Sequence, residues 1–98
     1  MYEIDIKDWA YFDMQEIKDY IFRFSFSIIT ADKVIDEIMG KILSLKIFPY
    51  LYPAYNSEYR VMTVRKRYRI FYKVIEDKKL VEIHYVFWAE EDYDSIIH

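Results

Sequence analysis

Ninety-eight residues with 54% hydrophobic and 20% aromatic content, eleven of them Tyr, are too apolar for a disordered chain and suit one domain with a single core. The net charge is −3, there is no Cys to form a disulfide framework or a thiolate metal site, and two His (His84 and His98) are too few for a His-based one, so neither metal nor cofactor is expected. No run approaches the roughly 18 apolar residues of a membrane span, and the acidic start YEIDIKDW lacks the pattern of a signal peptide, so a soluble cytoplasmic protein with no membrane partner is expected.

Tyr2, Ile4 and Ile6 alternate with Glu3, Asp5 and Lys7, the period of two that predicts a half-buried strand. The period then changes. Ala10, Met14, Ile17, Ile21 and Phe24 recur every three or four residues, the stripe of an amphipathic helix, with Asp8 as its expected N-cap and Trp9, Phe12 and Tyr20 widening the apolar face. FSFSIIT, Phe24 to Thr30, interrupts the pattern with β-branched and hydroxyl residues, and either Ser27 or Thr30 can cap the next helix. A second stripe at Ala31, Val34, Ile35, Ile38, Ile42 and Leu45 predicts a helix packed antiparallel on the first. Gly40 falls inside it, where Gly costs about 1 kcal/mol relative to Ala; a close helix approach and a tolerated imperfection explain it equally well. Pro49 disfavours helical geometry at Phe48. PYLYPAYNSE, Pro49 to Glu58, therefore reads as an extended aromatic loop that either covers the sheet or presents its Tyr rings.

From Tyr59 the pattern is that of strands. Val61, Thr63 and Val64, then Ile70, Phe71, Tyr72, Val74 and Ile75, are β-branched or aromatic. Arg65 to Arg67 form the tip of a tight hairpin, without the usual Gly or Asn. After the polar break Glu76 to Lys79, Leu80 to Trp88 is a further strand, in which Val81, Ile83, Tyr85 and Phe87 share the parity expected to face the core. Glu82 and His84 share the other, which sets His84 and Tyr85 on opposite faces. Tyr93, Ile96 and Ile97 predict a short terminal turn of helix. The whole, 1–98, reads as one two-layer α+β domain of order β-α-α-β-β-β: a helical hairpin on one face of a mainly antiparallel sheet of about four strands, the other face at least partly open.

Charge divides the chain more sharply than composition does. Tyr59 to Ile75 holds Arg60, Arg65, Lys66, Arg67, Arg69 and Lys73 and no acid, whereas six cations face ten acids before it and two face seven after it. Mixed charges serve solubility equally well. The island is therefore a candidate binding surface at the centre of the sheet.

This order, with these residues, resembles the RelE/ParE family of toxins from bacterial type II toxin-antitoxin modules. DMQEIKDYIFRFS is similar to the family's first helix, and ADKVIDEIMGKILSLKIFP to its second helix with a Leu-x-x-Phe-Pro ending. EYRVMTVRKRYRIFYKVIEDKKLVEIHYV is similar to its YR, YRIxY and closing-strand segments, and EDYDSII to its acid-tyrosine ending. The resemblance implies a protein that arrests growth when free and is silenced by a cognate antitoxin, touching operator DNA only through that partner. RelE-like members cleave messenger RNA on the ribosome and ParE-like members poison DNA gyrase, so the fold does not select the target.

Metal-free RNA cleavage needs a group to activate the 2′-hydroxyl, cations on the phosphate and an acid for the leaving oxygen. The resemblance aligns Arg69, in YRIFY, and Arg65 with phosphate-binding arginines of the ribonuclease members, and His84 is the candidate proton-transfer group. Glu90 is an alternative base, and His98 a terminal one. Arg60, Lys66, Arg67 and Lys73 are the candidate nucleic-acid or target-binding cations. Arg60 and Arg69 suit scaffold pairing as well, Arg65 to Arg67 a solvated turn, and His84 a structural strand position. Tyr50, Tyr52, Tyr55 and Tyr59 suit base stacking, packing or anchoring of a partner protein. The run FWAEEDYD departs from the ribonuclease pattern, because Glu90, Glu91 and Asp92 repel phosphate. It moves the balance toward ParE-like, non-catalytic action.

Overall fold

The computed structural model describes residues 1–90. Its elements are β1 (Glu3–Ile6), α1 (Asp8–Ser25), α2 (Ile28–Ser44), β2 (Arg60–Val64), β3 (Tyr68–Ile75), one 3₁₀ turn over Glu76–Lys78, and β4 (Leu80–Trp88). The strands form one sheet in the order β1-β4-β3-β2. β3 pairs antiparallel with β2 and β4, while β1 lies parallel to β4, with Ile4 opposite Val81 and Ile6 opposite Ile83. β2 is therefore an edge strand, and only β3 of the cationic hairpin is central. The expected terminal turn at Tyr93, Ile96 and Ile97, together with Glu91, Asp92 and His98, lies outside the described residues.

Both helices lay their stripes on one sheet face. Ala10, Met14 and Ile17 of α1 and Val34, Ile38 and Ile42 of α2 are buried against Met62, Val64, Ile70, Tyr72, Val81, Ile83 and Val86. Each Val, Ile or Met among them contributes about 1.5–3 kcal/mol when taken out of water. The link between the helices is two residues long. Phe26 takes a left-handed conformation (φ 54°) that ends α1, and the Ser27 hydroxyl accepts the Thr30 N–H at 3.2 Å to cap α2. Thr30 itself is inside the helix.

Four expectations need correction. Asp8 is not the cap of α1: Lys7 holds that position without a side-chain bond, and Asp8 sits in the first turn, where its charge still suits the helix N-terminus. Trp9, Phe12 and Tyr20 do not widen the core, being 68%, 58% and 47% exposed, and Phe24 is 67% exposed, because a two-layer domain buries only one stripe of each helix. Gly40 is not a close-approach site, since a Cβ there meets nothing within 4 Å.

The fourth lies in β4. Phe71 pairs with Tyr85, yet the next residue, Tyr72, pairs with Ile83, so His84 is the extra residue of a β-bulge. The bulge exchanges faces. Val81 and Ile83 face the helices, but beyond His84 it is Val86 and Trp88 that do. Tyr85 and Phe87 turn to the other face instead, with buried Tyr59 and Phe71. His84 and Tyr85 accordingly share a face, their rings 5.3 Å and 6.0 Å from that of Tyr59.

The 49–58 loop covers the sheet. The buried Tyr72 hydroxyl donates to the Pro49 carbonyl at 2.7 Å, and the Val61 N–H to the Pro53 carbonyl at 3.1 Å, so the loop shields the start of the β2 edge. Among the described residues, no helix is long and apolar enough to cross a membrane.

Candidate functional site

The hairpin places the cations. Arg65 and Lys66 take left-handed conformations (φ 55° and 59°), and the Arg67 N–H bonds the Val64 carbonyl at 3.0 Å. This is the turn geometry that matches strand twist and usually recruits Gly or Asn. In other residues it costs about 1–2 kcal/mol per position. Arg65 forms an ion pair with Glu37 of α2; with side chains 46% and 41% exposed, the pair is solvent-screened and holds weakly. Lys66 and Arg67 are exposed and make no ion pair among the described residues.

Arg60 acts on the loop. Its Nη1 donates to the Tyr52 carbonyl at 2.7 Å, and its guanidinium carbon lies 4.9 Å from the centre of the Tyr50 ring. Arg69 stands between Thr63 of β2 and Phe87 of β4 in the register, with the parity of Phe71 and so on the face away from the helices. Its Nη1 is buried and has no hydrogen-bond partner among the described residues. Lys73, further along the same face, lies 3.8 Å from a Glu58 oxygen and 4.9 Å from the centre of the Tyr59 ring.

His84 is held at both nitrogens. Nε2 is 3.2 Å from Glu82 Oε1 and Nδ1 is 3.4 Å from the Tyr59 hydroxyl. With the proton on Nε2, the ring donates to the carboxylate and accepts from the phenol. The His84 bond, and the Lys7 ammonium 3.4 Å away, hold the Glu82 carboxyl below its ordinary range. Burial first, and then nearby Tyr85, pushes the Tyr59 phenol up to about 12, so it stays protonated.

Arg65 is not brought together with the other two candidate catalytic residues. Arg65 reaches toward the helices, Arg69 and His84 lie on the opposite face, and the stacked rings of Tyr85 and Phe87 (5.2 Å between centroids) occupy the strand between the latter two. In-line cleavage needs base, phosphate cations and acid around one phosphorus. A binding surface does not.

Sequence reasoning missed a second grouping. Tyr20, Arg67, Trp88 and Glu90 line one cleft at the closed end of the hairpin, with Tyr20 and Trp88 edge-to-face at 4.8 Å. The signal was an aromatic residue at the margin of a helix stripe, which periodicity assigns to the core. Among the described residues, no group of three or more His, Asp or Glu is placed to hold a metal ion.

Comparison with known proteins places this geometry in a family. The model described as the ParE toxin of the type II toxin-antitoxin system, parDE, matches residues 4–93. In structure the chain is similar to the chromosomal ParDE system of P. aeruginosa (TM-score 0.79, 17% identity, covering 92% of this chain and 98% of that one). It is similar too to the intact E. coli RelBE toxin-antitoxin complex (0.69, 18%, 93% and 100%) and to the isolated E. coli RelE toxin (0.68, 17%, 99% and 96%). No curated protein matches it in sequence. At such identities the structures speak for the fold, two helices on a four-stranded sheet in the order β-α-α-β-β-β. The match over 4–93 speaks for the family, and the chain belongs to the ParE toxins, the toxin component of type II toxin-antitoxin systems.

Proposed function

We propose that this toxin acts in the ParE manner, by binding DNA gyrase in the cytoplasm rather than by cutting RNA, and that a cognate antitoxin encoded beside it holds it inactive. The observation that carries this reading is that Arg65 is tied to Glu37 on the helix side, away from Arg69 and His84, while His84 is held between Tyr59 and Glu82. A target-binding protein needs only that its cations and aromatic rings be displayed. One observation favours the second reading, ribosome-dependent cleavage of messenger RNA: Arg69 Nη1 has no hydrogen-bond partner among the described residues, and a guanidinium is a donor suited to a phosphate oxygen.

Inducing the chain without its antitoxin is expected to arrest growth, to inhibit supercoiling by purified gyrase and to leave messenger-RNA ends unchanged. Arg69→Ala is the dividing variant: it abolishes arrest if phosphate binding at this residue is the mechanism and preserves most of it if gyrase binding is. Rapid site-specific RNA cleavage with unaffected gyrase would overturn the ordering of the two readings. Normal growth at confirmed soluble expression removes both.

A further inference from the structure

The two edges of the sheet are finished differently. At β2 the Val61 N–H goes to the Pro53 carbonyl and Ala54 pairs with Arg60, so the 49–58 loop occupies that edge where the strand starts. At β1 the N–H groups of Glu3 and Lys7 go inward, to the carbonyls of Lys79 and Ile83, both at 2.9 Å. Alternation along the strand therefore turns the N–H and C=O groups of Ile4 and Ile6 outward, to a side on which no strand of the described residues lies. Such an edge is a template for a further strand. Its surroundings are apolar on one face and charged on the other. Ile4 and Ile6 lean on the core and, with Tyr11, Met39 and Leu43, line a cavity of about 620 Å³. Tyr11 and Leu43 on its rim are 54% and 46% exposed. Glu3, Asp5 and Lys7 have the other parity and lie on the face away from the helices.

We infer that β1 pairs with β1 of a second copy of this chain, antiparallel about a two-fold axis through Asp5, joining the two four-stranded sheets into one. In this register Ile4 lies opposite Ile6 of the second copy and Ile6 opposite its Ile4, and each pair exchanges two N–H···O=C bonds. Glu3 lies opposite Lys7 of the second copy, and the axis makes that attractive pair twice. Asp5 meets its own copy. That contact is the unfavourable one, and it is damped because each Asp5 already holds the Lys7 ammonium of its own chain at 2.7 Å.

Length favours this occupant over a longer peptide from another protein. The Tyr2 N–H is taken by the Lys46 carbonyl at 3.0 Å, so the edge is closed at that position. The strand of the second copy ends in time, because its Lys7 stands opposite Glu3 and α1 begins at the next residue, Asp8. An extended peptide without such an end runs into Lys46 on one side and α1 on the other. With both helical layers on the same face of the joined sheet, Tyr11 and Leu43 of the two copies close over the apolar side. The pairing also sets the two β2–β3 hairpins at opposite ends of the joined sheet. Seven strand spacings separate the two copies of β2, about 34 Å, so the toxin presents its cations twice to any target that repeats on that scale.

The chain has no Cys, which makes the register directly testable. Opposed residues of a non-hydrogen-bonded antiparallel pair have Cα atoms about 4.5 Å apart, within disulfide range. Asp5→Cys is therefore expected to form a disulfide-linked dimer with oxidised glutathione at least tenfold faster than Glu3→Cys, which lies off the axis, or Thr63→Cys, exposed on β2. By sedimentation, the isolated wild-type toxin is expected to dimerise. Glu3→Lys, which sets Lys against Lys, and Ile4→Pro, which removes an outward N–H without costing the sheet a bond, should each weaken the dimer at least tenfold, while Ile4→Val stays within twofold. Circular dichroism checks the fold of each variant, and the exposed Glu3→Lys carries the test should Ile4→Pro not fold. A monomeric wild type whose Asp5→Cys variant crosslinks no faster than Thr63→Cys overturns the pairing. So does a dimer that Glu3→Lys leaves intact, since the contact then lies elsewhere. Amide exchange at Ile4 and Ile6 that slows only when gyrase or the product of the adjoining reading frame is added gives the edge to that partner and overturns self-pairing.

Discussion

At the open end of the β2–β3 hairpin Arg60 donates to the Tyr52 carbonyl and Tyr72 to the Pro49 carbonyl, whereas at the closed end Arg65 has only an exposed ion pair and Arg67 has none among the described residues. Both ends belong to one cationic stretch and use the same residue type. The difference lies in the backbone nearby. The open end abuts the irregular 49–58 loop, where the Pro49 and Tyr52 carbonyls are met by side-chain donors, Tyr72 and Arg60, because a carbonyl is costly to bury unpaired. At the closed end the Arg67 N–H pairs with the Val64 carbonyl and the Ala89 N–H with the Arg67 carbonyl, so these backbone groups recruit no side-chain donor. A cluster of positive charge is thus two things at once, a clamp at one end and a display at the other.

Removing each arginine separates the two roles. Arg60→Ala takes away a charged donor and a ring contact and frees the loop, at a cost of about 2–3 kcal/mol, or roughly 10–20 °C in Tm. Arg67→Ala is expected to change stability by less than about 0.5 kcal/mol, as surface substitutions usually do. Equal melting temperatures for the two variants would erase the contrast. A smaller and opposite effect belongs to the turn. Lys66→Gly relieves a left-handed side-chain position and should stabilise the fold by about 1 kcal/mol, read as a rise in the denaturant midpoint at unchanged slope. A fall in the midpoint means that Lys66 makes contacts outweighing its backbone cost.

Much of this arrangement was legible in the residues, and what was not has a common cause. The stripes Ala10-Met14-Ile17 and Val34-Ile38-Ile42, the Ser27 cap and the strand-rich second half follow from local periods, because helix and strand geometry repeat within a few residues. The exchange of Tyr85 and Phe87 to the far face does not follow, since the extra residue at His84 is defined by pairing with β3 and not by anything in β4 itself. The parallel partnership of β1 with β4 is likewise non-local. The candidate site suffered most. Arg60, Arg65 and Arg67 look alike in sequence, and what sets them apart is Tyr52 for Arg60, Glu37 for Arg65 and, for Arg67, no ion partner among the described residues. Periodicity assigns Tyr20 to the core because it counts apolar residues, whereas the fold covers only one stripe and leaves Tyr20 47% exposed.

The smallest predicted effect probes the open end through pH. Glu76, just past β3, accepts from the hydroxyls of Tyr2 at 2.7 Å and Tyr50 at 2.6 Å and forms an ion pair with Lys79. The Lys79 bond first, and then those of Tyr50 and Tyr2, hold the Glu76 carboxyl down at about 2, against about 4.3 for an unperturbed Glu in the unfolded chain. A folded value below the unfolded one means that the unfolded state binds the proton more tightly. The stabilisation is therefore present above about pH 4.3 and is lost as the pH falls through about 2. Because the Glu76 side chain is 49% exposed, the effect is modest and weakens in salt. Wild-type Tm should exceed that of Glu76→Gln near neutrality, and the gap should close between about pH 4.3 and 2. A gap that stays constant across that range would place the effect in the edge-to-face packing of Tyr2 on Tyr50, 6.4 Å between centroids, rather than in charge. The clamp at the open end would then be one of shape, with Arg60 on the Tyr50 ring a cationic part of it.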